Sequence, residues 1–144
     1  MRDANSLGGV RRSAATPAQT AMILGGLGFA LWIGLSLIGG LGSEDAGFRV
    51  REAWDTPAYF YVGLPLMALA VAIAAFLRPS RVWRWPLALV AGHQAGVLII
   101  GLGMQSGVSL ILLTLILAIL LGVLLAVPAA IGAIASRHLT ERAY

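Results

Sequence analysis

Residues 89–98, LVAGHQAGVL, place a histidine and a glutamine side by side in an otherwise apolar run. Gly92 and Gly96 flank this pair at the four-residue spacing that lets membrane helices approach one another closely. A polar side chain without a partner in lipid costs several kcal/mol, so His93 and Gln94 must face a neighbour. The stretch therefore predicts a tightly packed helix whose polar pair is sealed against another helix of this chain or of an oligomer.

The composition around this stretch is that of a membrane protein. Of 144 residues, 59% are hydrophobic and only 11% are charged, whereas a soluble domain carries roughly 25% charged residues. A chain of this size cannot hide so much apolar surface from water. Because irregular backbone is not stable in lipid and segments of alternating polarity are absent from the sequence, the chain is predicted to be an all-α integral membrane protein.

Four apolar runs are long enough to cross a bilayer at roughly 20 residues per crossing. We expect an antiparallel four-transmembrane-helix bundle in which consecutive helices are neighbours, because the last two connections are short. A cleaved signal peptide is the alternative for the first run, although that run exceeds the usual apolar length of such peptides. The predicted organisation is a disordered N-terminal tail over 1–17, spans at about 18–42, 57–77, 86–104 and 109–135, and a C-terminal tail over 136–144.

The arginines predict the orientation of this bundle. Eight of the ten basic residues fall in the N-terminal tail, the 78–84 loop and the C-terminal tail, which four spans place on one side. The positive-inside rule then puts both termini in the cytoplasm. Every basic residue is arginine, a bias that we interpret as bacterial. The predicted location is a bacterial inner membrane, and the high pI reflects topology rather than binding to nucleic acid.

His93 and Gln94 are the candidate intramembrane polar site. An ionisable group inside a span is often functional, as a proton relay or a ligand-binding residue. The alternative is a neutral histidine that hydrogen-bonds to a neighbouring helix, with Gln94 as a second hydrogen-bonding group. We favour the second interpretation because the four predicted spans contain no Asp, Glu, Lys or Arg that would complete a relay. A metal or haem site is not expected, since the other histidine, His138, lies beyond the last span.

Two charged segments are candidate contact surfaces. One segment lies just before the second predicted span and contains both charged and aromatic residues, which indicates either a docking surface or anchoring at the membrane interface. Its candidate residues are Arg49, Arg51, Glu52, Trp54 and Asp55. The second lies between the second and third spans and is suited to anionic lipid headgroups, although a topology signal is the simpler interpretation; its residues are Arg78, Arg81 and Arg84.

The helix number and length resemble those of the small multidrug-resistance exporters, which use a membrane-embedded glutamate in the first helix. Here residues 18–42 contain no acidic residue, so the resemblance does not extend to the residue that would carry that activity. Quinone-linked thiol oxidoreductases need cysteines, and this chain has none. The sequence assigns no family.

The functional hypothesis is a non-enzymatic accessory or structural subunit that binds other membrane proteins or itself. No nucleophile–base pair or cofactor motif is visible in the sequence, so no cofactor and no catalytic residue are expected. The first alternative is a small oligomeric transporter or channel that uses His93 and Gln94. A membrane enzyme acting on lipid or quinone is the remaining alternative.

Overall fold

The computed structural model describes residues 15–41, 53–103 and 108–142, and nearly all of them are helical. The four α-helices are α1 (Pro17–Leu41), α2 (Leu64–Leu77), α3 (Arg84–Gly103) and α4 (Val108–Glu141). A 3-10 turn at Ala53–Asp55 and a π-helical turn at Tyr59–Gly63 precede α2. Among the described residues, three helical segments are long and apolar enough to cross a membrane: Pro17–Ile38, Tyr59–Leu77 and Leu112–Glu141.

Helix α1 begins with a reciprocal cap. The Thr16 backbone N–H donates to the Gln19 side-chain oxygen at 2.7 Å, and the Gln19 N–H donates to the Thr16 hydroxyl at 3.2 Å. Pro17 occupies the first helical position, where its missing N–H costs nothing. The sequence Thr-Pro-Ala-Gln is therefore a helix start that satisfies the backbone groups left free at this end.

The entry to α2 is widened by Pro65. A proline ring inside a helix clashes with the carbonyl four residues earlier and removes one donor. Here the Leu64 N–H donates to the carbonyl of Tyr59, five residues back, so the turn before the proline is a π turn. This wider turn accommodates Pro65 and sets the direction of the Tyr59 side chain, which lies buried.

The principal contacts join alternate helices. Helix α1 packs mainly on α3, and α2 packs mainly on α4, while α3 and α4 also meet. Gly25 lies beside Gly92 and Trp32 lies beside Gly96, so α1 and α3 run in the same direction. Consecutive helices make fewer contacts than these alternate pairs, which differs from the expectation that consecutive helices are the main neighbours.

Glycines explain why the alternate helices are the closest pairs. A Cβ on Gly92 would overlap the backbone of Gly25, and a Cβ on Gly28 would overlap the carbonyl of Leu89. On the other pair, a Cβ on Gly132 would overlap the carbonyl of Ala72 in α2. Backbone-to-backbone contact of this kind is possible only where no side chain intervenes, and it maximises van der Waals packing between helices. The prediction that the third helix packs tightly is confirmed.

The outward surface of the helices is apolar. On α4 alone, large aliphatic side chains are exposed on most of its turns; they include Leu112, Ile116, Ile119, Val123, Val127, Ile131 and Ile134. In water this surface would be a large unfavourable patch. In a bilayer it is the expected lipid-facing surface.

The connection between α2 and α3 is a tight turn. Arg81 has a φ of 58°, a left-handed conformation that turns the chain back within a few residues. The indole N–H of Trp85 then donates to the carbonyl of Arg78 at 3.2 Å. Helix α3 begins at Arg84, directly after this turn.

Candidate functional site

The centre of the site is a buried hydrogen bond between Tyr59 and His93. The Tyr59 hydroxyl lies 3.0 Å from Nε2 of His93. His93 is only 2% exposed and Tyr59 is also buried. Tyr59 comes from the π turn before α2 and His93 comes from the middle of α3. The pair therefore ties two helices together with a polar bond shielded from the surroundings.

Trp32 of α1 packs against both members of this pair. Its ring centroid lies 4.8 Å from that of His93 at an interplanar angle of 68°, and 6.0 Å from that of Tyr59 in an edge-to-face arrangement. Trp32 reaches this position because residue 96 is glycine: a Cβ there would lie 2.9 Å from Cδ1 of Trp32. Gly96 thus makes the space that the indole fills.

A fourth aromatic ring extends the cluster. Trp54, in the 3-10 turn, lies 4.7 Å from Trp32 between ring centroids and is half-buried. The Thr56 hydroxyl donates to the carbonyl of Ala53 at 2.6 Å and holds this turn. Tyr59, His93, Trp32 and Trp54 are called the aromatic cluster below. Edge-to-face and tilted pairs of this kind stabilise beyond their buried area.

Gln94 is buried in α3 next to the cluster. Within the described part of the chain, neither its amide nitrogen nor its amide oxygen has a hydrogen-bond partner. The same holds for Nδ1 of His93 and for the buried hydroxyls of Ser36 and Thr114. Of the two ring nitrogens of His93, Nε2 is thus hydrogen-bonded to Tyr59, whereas the Gln94 amide has no hydrogen-bond partner among the described residues.

A cavity of about 280 Å³ adjoins the aromatic cluster. Tyr59 and His93 line its buried part, and Phe60, Leu120 and Leu124 form an exposed rim. Its opening therefore lies on the lateral surface of the helices. Its full lining is Trp54, Tyr59, Phe60, Leu64, His93, Leu117, Leu120, Leu121 and Leu124.

The candidate outer-loop surface is only partly described. Arg49, Arg51 and Glu52 lie outside the described residues. Asp55 is exposed, as a contact surface requires, whereas Trp54 packs against Trp32 and lines the cavity. The structure therefore brings Trp54 to the intramembrane histidine, two features that the sequence had placed in separate candidate sites.

The three arginines of the second segment lie together at the α2–α3 turn. Arg78, Arg81 and Arg84 line a surface cleft of about 530 Å³ with Ser80 and Trp85. Arg81 and Arg84 are exposed and Arg78 is half-buried. This arrangement presents several guanidinium groups to one cleft at the predicted cytoplasmic surface.

Two residues of the site were not identified from the sequence. They are Tyr59, near the start of the second predicted span, and Trp32, inside the first predicted span. A buried histidine needs a hydrogen-bonding partner, and a tyrosine hydroxyl near the start of the second predicted span can be that partner. That signal points to a tyrosine, but it does not distinguish Tyr59 from Tyr61, which is 81% exposed.

The chemistry available at this site is hydrogen bonding and stacking. Among residues 15–41, 53–103 and 108–142, no three His, Asp or Glu side chains lie close enough together to hold a metal ion. Tyr59 and His93 can exchange donor and acceptor roles according to the histidine tautomer. A bound group would meet an aromatic wall and a neutral hydrogen-bonding pair.

Comparison with known proteins assigns no relative to this chain. No protein-family model matches it, and no curated protein or solved structure is significantly similar to it.

Proposed function

We propose that the chain is a four-span protein of a bacterial inner membrane, an antiparallel bundle in which α3 crosses the bilayer in addition to the three apolar segments described above. The parallel contact of α1 with α3 supports this arrangement, since first and third spans run in the same direction in such a topology. The positive-inside rule supports cytoplasmic termini, because eight of ten arginines fall in the three segments assigned to that side.

Within this membrane the chain acts as a non-enzymatic accessory subunit that binds a transmembrane helix of another membrane protein or of a second copy. One observation carries this proposal. Gly26, Ala30 and Gly34 form a second small-residue row on α1, and a Cβ on Gly26 or Gly34 would meet nothing within 4 Å in the described residues. Gly25 and Gly28 of the same helix are already occupied by α3. The outer row therefore leaves room for one more close helix.

The aromatic cluster supports a structural role for the intramembrane histidine. His93 is hydrogen-bonded to Tyr59 and enclosed by Trp32, so it contributes to holding three segments of the chain together. A histidine used in this way needs no substrate to satisfy Nε2. This arrangement favours an association function over a proton pathway through His93.

The test is native mass spectrometry of the tagged protein purified from its own membranes in mild detergent. The wild type should carry a stoichiometric partner or a second copy. The double variant Gly26→Ile/Gly34→Ile should lose that species, because two branched side chains would fill the row. The matched control is Ala91→Ile/Ala95→Ile, the same number of added branched side chains at two small, exposed residues of α3. Equal association of both variants, or a wild type that is always monomeric, would refute the proposal.

The outer loop offers a second contact for the same partner. Arg51 and Glu52 are the residues to change, since Trp54 is engaged with Trp32 and its substitution would disturb the fold as well. Alanine at both positions should weaken the same complex without removing α1 from α3.

A small oligomeric transporter or channel is the second candidate function. The observation that favours it is the buried amide of Gln94, which has no partner among the described residues. In this proposal, Gln94 and His93 face a pathway completed by oligomer contacts. Purified protein in liposomes should then conduct a cation in a pH-dependent manner, and Gln94→Leu should abolish the flux. Absence of flux for every tested cation would remove this candidate.

A further inference from the structure

We propose that the cavity beside the aromatic cluster binds the headgroup of a membrane-borne quinone, a flat neutral ring with hydrogen-bonding oxygens on an aliphatic chain. This inference is independent of the accessory-subunit proposal, because the cavity and the outer small-residue row of α1 involve different residues. It is a binding site only, and no redox step is attached to it.

The polar part of the site is built for a neutral ligand oxygen. His93 is 2% exposed, lines the cavity and hydrogen-bonds to Tyr59 through Nε2. Its Nδ1 has no partner among the described residues. A buried unpartnered nitrogen of this kind costs free energy unless a ligand or another group satisfies it. A quinone carbonyl oxygen that accepts from the Nδ1–H of His93 would do so, in the tautomer in which the Tyr59 hydroxyl donates to Nε2.

The walls of the cavity favour a flat ring. Trp54, Tyr59, Phe60 and His93 all line it, and aromatic rings stack well on planar ligands. The remaining lining residues are five leucines, which supply apolar contact without polar competition. The volume of about 280 Å³ lies just below the usual range for sites that enclose a whole drug-sized ligand. The site therefore suits a headgroup rather than a complete lipid.

The position of the cavity opening and the absence of lysine and arginine from its described lining residues indicate a ligand with an aliphatic tail and no net charge. Phe60, Leu120 and Leu124 are exposed at the rim, on the apolar outer surface, so an aliphatic tail could continue into the bilayer. The described lining residues include no lysine or arginine. A fatty-acid carboxylate would therefore be desolvated without a counter-ion, which is strongly unfavourable. A neutral quinone ring meets no such cost.

The test measures binding of a decyl-substituted benzoquinone to the purified full-length chain in nanodiscs by isothermal titration calorimetry. Saturable binding is expected, with decanoate and decane unable to compete. Leu120→Trp should weaken binding at least tenfold by filling the cavity. Leu115→Trp is the matched control, because residues 115 and 120 lie on the same helix with 58% and 60% exposure and only Leu120 lines the cavity. Tyr59→Phe should weaken binding roughly tenfold through loss of one hydrogen-bonding group.

Three results would overturn the quinone site. Equal affinity of Leu120→Trp and Leu115→Trp would place any binding elsewhere. Competition by decane would show that the cavity accepts any tail, and competition by decanoate would show that charge is tolerated.

Because both leucines are exposed, neither tryptophan variant should disturb folding, and circular dichroism of each verifies that the helices are intact. The complex observed by native mass spectrometry should be unchanged in Leu120→Trp, so failure of one proposal leaves the other standing.

Discussion

At the scale of single residues, the molecule depends on how His93 is satisfied in an apolar interior. Its Nε2 meets the hydroxyl of Tyr59 at 3.0 Å, and the edge of its ring meets Trp32. The partner lies 34 residues earlier in the chain, so only the tertiary packing that brings the π turn before α2 against α3 places it there. A polar residue in an apolar span can thus be recognised from the sequence, whereas its hydrogen-bonding partner can be found only in the folded structure.

Removal of the Tyr59 hydroxyl should destabilise the protein measurably. In Tyr59→Phe the ring remains and His93 keeps a buried nitrogen without its partner, which costs about 1–3 kcal/mol of unfolding free energy. The measurement is unfolding in detergent followed by circular dichroism. Tyr61→Phe removes the same atom from a side chain that is 81% exposed and should change little.

The double variant Tyr59→Phe/His93→Leu checks the cause of that loss. If the two side chains stabilise the fold through their mutual bond, the double variant should lose clearly less than the sum of the single variants. Strict additivity would mean that each residue acts through other contacts, and the hydrogen bond would then have no stabilising role.

At the scale of helices, glycine position decides which elements become neighbours. Helix α1 carries glycines on two sides, and only Gly25 and Gly28 are used against α3. The sequence row Gly26–Ala30–Gly34 was the evident small-residue motif at spacing four, yet in the structure it faces outward. Spacing therefore identifies surfaces capable of close approach, and the relative rotation of the helices selects which of them is used.

Gly28→Ala and Gly26→Ala test this selection on opposite sides of one turn of the same helix. A Cβ on Gly28 would overlap the Leu89 carbonyl and press on the His93 backbone, so α1 must move away from α3. The expected loss is about 1–3 kcal/mol of unfolding free energy, the usual cost of overpacking. Gly26→Ala meets no atom within 4 Å and should be neutral or stabilising by up to about 1 kcal/mol.

Unfolding of both variants in dilute detergent, where only the monomer is present, gives the comparison. If Gly26→Ala is as destabilising as Gly28→Ala, then α1 does not approach α3 through the face that contains Gly25 and Gly28.

At the scale of the whole molecule, charge and apolarity govern how the bundle lies in the membrane. The outward faces are aliphatic, and eight of the ten arginines fall in residues 1–17, 78–84 and 136–144. Helix α3 is the least apolar of the four because it contains Arg84, His93 and Gln94. His93 and Gln94 are buried, and the Tyr59–His93 bond and the glycine contacts with α1 enclose His93, whereas Arg84 at the start of the helix is exposed.

Single-cysteine labelling tests the proposed topology directly, since the native chain contains no cysteine. Ser80→Cys and Thr140→Cys should be protected from a membrane-impermeant maleimide in spheroplasts and labelled in inverted vesicles. Ser43→Cys and Ser106→Cys, both outside the described residues, should show the opposite pattern. Positions 80 and 106 flank α3, so labelling of both from the same side would show that α3 does not cross the bilayer.

From its composition and apolar runs, the chain could be predicted to be helical and apolar enough for a membrane. These properties follow from local composition and from the need of every backbone group for a hydrogen bond in lipid. The sequence also showed that His93 and Gln94 need partners beside a tight helix contact. The three-dimensional packing was needed to find that α3 packs on α1, that Tyr59 and Trp32 enclose His93, and that Trp54 joins them beside a cavity. The physical reason is that pairing depends on helix rotation and on contacts between distant residues, which no local pattern encodes.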